Sequence, residues 1–157
     1  MDRLWAPWRI EYILKFQDEG CIFCTKPAEN HDTKNLILHR GEFCFVIMNY
    51  YPYNNGHLMV VPYRHISELT NLSEMENKEI MELLTRCTEV LKQKMSPHGF
   101  NIGMNLGAVA GAGVKDHLHL HIVPRWNGDT NFMPIAGHTK VISEALEQTW
   151  KKLKEGF

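Results

Sequence analysis

The 157-residue sequence predicts an α+β fold: an antiparallel sheet of about five strands with one long helix and a C-terminal helix. Two observations carry the sheet. Short β-rich runs follow one another closely, and the loops between them are too short for crossover helices. A third observation carries the helices: two stretches repeat apolar residues every three or four positions.

Taken in order, the first strand run is Leu36-Ile37-Leu38, ahead of an Arg40-Gly41 turn. Phe43 to Met48 is the second. His57 to Val61 is the third, after the turn residues Pro52-Tyr53-Asn54-Asn55-Gly56. Ser73 and Glu76 then form a capping-box signal. Behind it Ile80, Leu83, Leu84, Cys87, Val90 and Leu91 recur at helical spacing until Pro97 and Gly99. Phe100 to Leu106 is a further strand, Gly107 to Gly113 a small-residue loop, and His117 to Val123 a strand ended by Pro124. A last helix from about Ser143 to Lys154 shows Leu146, Trp150 and Leu153 on one face. Upstream, Cys21 to Cys24 make a knuckle followed by a polar loop, Lys26 to Lys34. The opening segment, Leu4 to Phe16, carries Trp5, Pro7, Trp8, Tyr12 and Phe16, and is expected to dock on the body or on a partner chain. The whole is one domain, 1–157, with 1–20 as docking segment and 139–157 as C-terminal helical segment. There is no internal repeat.

Composition narrows the function. A formal net charge of -1 gives no basic footprint for nucleic acid. A small anionic ligand fits better. Met1 to Phe16 mixes Asp2, Arg3, Arg9, Glu11 and Lys15 among its apolar residues, so no signal peptide is expected there. No apolar run reaches the length of a membrane span. A cytoplasmic setting follows, and there Cys21-x-x-Cys24 reads as metal or redox chemistry. Cys44 and Cys87 sit at core positions. His31, His39, His98 and His138 stand in loops or at element ends, as surface residues. Met75, Met81 and Met95 read as core or dimer packing.

The chemistry concentrates in His117-Leu118-His119-Leu120-His121-Ile122-Val123. On a strand, alternate residues face opposite sides. All three histidines therefore share one face, looking into a site or solvent, while Leu118, Leu120 and Ile122 pack inward. His117 and His121 lie roughly 13 Å apart at about 3.3 Å per residue, too far to share one ion. A neighbouring pair can share one, so a zinc hydrolase stays open, although no carboxylate is placed to help. Phosphorus chemistry suits the row better. A neutral imidazole is a good nucleophile near pH 7, and its neighbours can hold phosphoryl oxygens and pass a proton to a leaving group. His119 takes the nucleophile's place and His121 the proton-transfer or phosphate-binding place.

These residues resemble the histidine triad (HIT) superfamily, whose signature alternates three histidines with apolar residues. Gly56-His57-Leu58-Met59-Val60-Val61-Pro62 is similar to a second strand of that superfamily. The runs Arg3 to Arg9, Asn49 to His57 and Pro124 to Phe132 resemble its bacterial diadenosine tetraphosphate phosphorylase-like branch. The resemblance implies a HIT-like fold and an enzyme that cleaves a phosphoanhydride or phosphoramidate beside a nucleoside. In it His119 becomes nucleotidylated, His121 contacts the α-phosphate and leaving group, and His57 closes the phosphate site. Asn49 accepts the ribose hydroxyls, and Asn105 stands near the phosphate. The resemblance also implies a structural zinc held by Cys21, Cys24, His65 and His117, and a homodimer with sheets joined edge to edge.

The acceptor is read from the loop before the triad. Hydrolytic branches carry a Gln four residues ahead of the first triad histidine; here that residue is Gly113. With Gly111 it would let backbone N–H groups approach an anion, so inorganic phosphate is expected to resolve the intermediate. Hydrolytic turnover of a dinucleoside polyphosphate or phosphoramidate is the alternative. A nucleotide-binding regulator is another, since the same pocket serves both.

Overall fold

The computed structural model describes residues 20–114, 116–131, 136 and 141–157. The aromatic segment Leu4 to Phe16, His138 and the first residues of the 139–157 segment lie outside them. Among the described residues the order is α1 (Ile22–Ala28), α2 (Asp32–Asn35), β1 (Ile37–Arg40), β2 (Cys44–Met48), β3 (Leu58–Pro62), α3 (Glu74–Met95), β4 (Gly99–Gly103), β5 (Leu120–Arg125) and α4 (Leu146–Lys154). The strands form one five-stranded sheet in the order β1-β2-β3-β5-β4, every neighbouring pair antiparallel.

The period-2 pattern divides the sheet's side chains between two layers. Cys44, Val46, Met48, Leu58, Val60, Leu120 and Ile122 face α3 and α4, meeting Ile80, Leu83, Cys87, Leu91 and Leu153. Ile37, Phe45, Ile47, Met59 and Val61 face the other way and pack with Phe23 of α1. Cys44 and Cys87 are both fully buried, as their positions predict.

Helix α3 starts where its capping box predicts. Ser73 accepts the Glu76 N–H and the Glu76 carboxylate accepts the Ser73 N–H. It ends at Met95, one residue before Ser96 turns left-handed (φ 49°) ahead of Pro97. The same helix anchors the β1–β2 turn, because the Glu79 carboxylate accepts the N–H groups of Glu42, Phe43 and Cys44 at 2.6–2.8 Å. Gly41 makes that approach possible: a Cβ there would lie 2.6 Å from Glu79 Oε1.

Four expectations change. The stretch expected as a polar loop, Lys26 to Lys34, contributes to α1 and α2. Tertiary contacts fold it. Phe23 and Pro27, one turn apart, are buried together, Asn35 donates to the Lys26 carbonyl, and Arg40 pairs with Asp32 while donating to the Pro27 carbonyl. Strand β4 stops at Gly103 rather than Leu106. Strand β5 begins at Leu120 and runs through Pro124 to Arg125. The pairing of β3 with β5 extends only to Ile122, so Pro124 has no partner strand on that side. Of the core or dimer packing expected for three methionines, the core part holds for Met95 alone, and Met75 and Met81 are exposed.

Candidate active site

The three triad histidines do gather on the Phe23 side of the sheet, since His121 stands directly opposite Met59 in the β3–β5 register. They are not open to solvent. His117, His119 and His121 are 1, 6 and 8% exposed, and His57 is 1% exposed. Phe23 is the cover. Its ring lies 5.5 Å from His117 and 5.0 Å from His119. Burial pushes His117 and His119 below the ordinary imidazole pKa, and burial, with His121 and His119 close by, pushes His57 well below it. These three rings are therefore neutral at pH 7.

Neutral rings have definite tautomers, and the acceptors around them decide which. His119 Nδ1 lies 2.8 Å from the His117 carbonyl. A carbonyl can only accept, so Nδ1 carries the proton and Nε2 carries the lone pair. At His57 the Tyr53 N–H donates to Nδ1 at 3.1 Å, so the proton is on Nε2. That Nε2–H donates to His121 Nδ1 at 2.9 Å. A neutral His121 consequently carries its own proton on Nε2. The His119 and His121 rings meet edge to face, 4.7 Å apart. With His121 neutral, an imidazole with an available lone pair thus stands beside one that presents an N–H, an arrangement that could supply a nucleophile next to a proton donor.

His117 is turned to a different task. Its Nε2–H donates to the Pro62 carbonyl at 2.8 Å, leaving the Nδ1 lone pair 3.2 Å from Cys21 Sγ and 3.6 Å from Cys24 Sγ. His65 Nδ1 is 3.4 Å from Cys24 Sγ. The ligand atoms of Cys21, Cys24, His65 and His117 all lie within 4.8 Å of one another. A tetrahedral zinc with ordinary bond lengths would hold N and S about 3.6 Å apart, so this group of four could hold a metal. The chemistry of the donors agrees. Burial, with Cys21 alongside, raises the Cys24 thiol to about 11, and a cation would offset that cost. The Pro62 carbonyl fixes the His117 tautomer that leaves Nδ1 able to bind a metal. Helix α1 builds the pair: Cys21 caps it, and the Cys24 and Thr25 N–H groups donate to the Cys21 carbonyl.

Comparison with known proteins identifies the architecture. The family model for the HIT domain matches residues 30–128. The chain belongs to the HIT family. AP-4-A phosphorylase of Mycobacterium tuberculosis is 41% identical over 161 aligned residues, covering 98% of this chain and 83% of the relative. Adenosine 5'-monophosphoramidase of Schizosaccharomyces pombe is 28% identical over 69% of this chain and 76% of its own. Among solved structures, a hypothetical histidine triad nucleotide-binding protein from Sulfolobus tokodaii superposes with a TM-score of 0.70 at 26% identity, covering 87% of this chain and 91% of that one.

Within this HIT domain, Asn49 follows β2 and lines a narrow cleft with Phe23, Met59 and Tyr51. Its Oδ1 accepts the Tyr51 N–H at 2.9 Å, and its Nδ2 is 3.4 Å from His57 Nδ1. Asn105 is half-buried, two residues beyond Gly103, the register partner of His121. The small-residue loop contains a 3₁₀ turn, Ala108–Ala110, between Gly107 (φ 79°) and Gly111 (φ 87°). The N–H groups of Ala110, Gly111 and Ala112 donate to carbonyls within the loop. Gly111 thus contributes its left-handed conformation, and Gly113 is exposed. Sequence reasoning did not single out Phe23 or Tyr53. The Tyr53 ring stacks 5.6 Å from His121 and its N–H sets the His57 tautomer. No local pattern marks either residue, because each reaches the site through the fold.

Proposed function

We propose that this HIT enzyme is a nucleotidyltransferase that cleaves dinucleoside polyphosphates through a covalent nucleotidyl-His119 intermediate and transfers the nucleotide to inorganic phosphate. The chain of hydrogen bonds that puts a lone pair on His119 Nε2 and a proton on His121 Nε2 carries this reading. His119 Nε2 attacks the α-phosphorus, and the bond from that phosphorus to the bridging oxygen breaks. His121 passes its Nε2 proton to the departing polyphosphate oxygen. His57 holds His121 in the required tautomer. Asn49 Oδ1 keeps a second lone pair for a ribose hydroxyl, and Asn105 would meet the phosphate chain. A phosphate oxygen then attacks the same phosphorus and releases His119 Nε2. The Gly113 position, which has no side chain, leaves room and an N–H for that incoming anion.

Cys21, Cys24, His65 and His117 would hold a zinc ion that ties α1 to the sheet. Four protein ligands leave no open position, so its role is structural. A homodimer fits the exposed edge: Ile102, Leu106 and Val109 lie in or after β4, with large exposed surfaces. Thiolate ligands fit a reducing, cytoplasmic compartment, and no helix among the described residues is long and apolar enough to cross a membrane.

Product analysis tests the reaction. With diadenosine tetraphosphate and millimolar phosphate the expected products are ADP and ATP. AMP and ATP, formed at a rate independent of phosphate, would make water the acceptor and overturn the phosphorolytic reading.

A further inference from the structure

Beyond the triad, β5 carries a groove that the catalytic steps leave unused. Tyr53 joins the two places: its ring stacks 5.6 Å from His121 and also lines the groove. Val123 supplies an apolar surface there. It follows His121 by two residues within β5, so both side chains share the triad face, roughly 7 Å apart at about 3.3 Å per residue. Asn101 of β4, the register partner of Val123, stands on the same face. Arg125, two residues further along β5, and Thr130 complete the lining. The groove encloses about 260 Å³. That lies just below the ~300 Å³ at which pockets for drug-sized ligands begin, so it suits one nucleoside rather than a whole dinucleotide.

Its charges cancel. Arg125 donates through Nε and Nη2 to the Asp129 carboxylate at 2.7 and 2.9 Å, and through Nη1 to Asn101 Oδ1 at 2.6 Å. Asp129 and Arg125 are the two charged residues of the lining, and they neutralise each other. The groove therefore has no net charge with which to hold a phosphate. It offers an aromatic ring, an apolar surface and polar groups instead. Among the described residues no hydrogen bond engages Asn101 Nδ2 or Thr130 Oγ1, and both belong to side chains that line the groove.

We propose that this groove is the subsite for the nucleoside at the far end of the leaving group. This rests on the reading of His121 as the proton donor to the departing oxygen. The bond that breaks lies at His121, and the groove lies two to four residues further along the same strand, roughly 7–13 Å away. A bridge of several phosphates covers that span, whereas the amine leaving from a phosphoramidate does not. The uncharged base meets Tyr53 and Val123, and its acceptor atoms meet the Asn101 amide and the Thr130 hydroxyl. The substrate class is then a nucleotide whose departing half ends in a second nucleoside, and a departing polyphosphate without one is handled less well.

Two substrates that transfer the same adenylyl group test this on the full chain. Diadenosine tetraphosphate releases a leaving group that carries adenosine; adenosine tetraphosphate releases bare tripolyphosphate. Wild type should favour the first by about tenfold in kcat/KM, toward the low end of what stacking one base on an aromatic side chain contributes. Asn101→Trp, which fills the groove from an exposed position, should bring the ratio to about one, and Asn101→Ala should lower it severalfold. A wild-type ratio near one, or a ratio unchanged in Asn101→Trp, overturns the inference while leaving the enzymatic reading intact. If Asn101→Trp does not fold, Asn101→Ala decides, and an unchanged ratio there overturns the inference. Turnover of neither substrate by wild type would overturn the enzymatic reading. Equilibrium binding of the same two compounds would then decide the groove: tighter binding of diadenosine tetraphosphate that Asn101→Trp abolishes supports the nucleoside subsite, and equal binding overturns it.

Discussion

Removal of the Glu76 carboxylate tests how helix α3 is joined to the segment that carries His65. Glu76 is 2% exposed and carries two duties. It completes the α3 capping box with Ser73, and it takes Arg64 through Nε at 2.7 Å and Nη2 at 2.5 Å. Arg64 stands between Tyr63 and His65, so this pair ties the segment after β3 to the start of α3. The Arg64 guanidinium, followed by the Ser73 bonds, holds the Glu76 carboxyl down at about 2, against an ordinary 4.5. At 1.36 kcal/mol per pKa unit this corresponds to roughly 3 kcal/mol. Arg64 is 55% exposed, however, and solvent screening reduces the net value to about 2 kcal/mol. Glu76→Ala should therefore lower Tm by about 4–8 °C at pH 7 for a chain of this size. Glu76→Gln, which keeps the cap but not the charge, should fall between the two. The folded pKa is depressed, so the stabilisation is complete above about pH 4.5 and is lost as pH falls toward 2. Thermal melts of the three proteins from pH 7 to pH 2.5 should show the difference constant at first and then shrinking. A Glu76→Ala protein melting within 1 °C of wild type at pH 7, or a gap that widens in acid, would refute the reasoning.

Three further outcomes follow from the site. His57→Ala should lower kcat about 10- to 100-fold with a smaller effect on KM, because His57 acts by positioning His121; steady-state kinetics showing kcat within twofold of wild type would remove that role. Metal analysis of gently purified protein should find one zinc per chain, and Cys24→Ser should lose it and melt several degrees lower; a zinc-free protein, or an unchanged melt, would count against the four-ligand group. Light scattering at micromolar concentration should give the mass of two chains, and a monomer mass would contradict the proposed edge contact.

The parts legible in the sequence are those whose cause is local. The gathering of the three histidines beside Phe23 was legible from their alternation, although only His121 lies within β5 and His117 and His119 precede it, and the Ser73–Glu76 spacing marks a helix start because the capping box spans one turn. The four possible metal ligands were legible through family resemblance rather than through spacing, since 41 residues separate Cys24 from His65. Helix α1 was not legible, because its seven residues include Pro27 and are held by Asn35 and Arg40 from beyond the segment. The burial of the triad was missed for the same reason: its cover, Phe23, belongs to that helix. The tautomers were also out of reach. They depend on the Pro62 carbonyl, 55 residues from His117, and on the Tyr53 N–H within the irregular chain before β3.

The most direct test of the central claim is intact-protein mass spectrometry after brief mixing with diadenosine tetraphosphate, with digestion to locate any adduct. In the absence of phosphate the chain should gain one adenylyl group on His119. Added millimolar phosphate should discharge it with release of ADP, and His119→Ala, folded to a similar Tm, should gain nothing. An adduct on another residue, or turnover of His119→Ala within tenfold of wild type, would contradict the covalent mechanism.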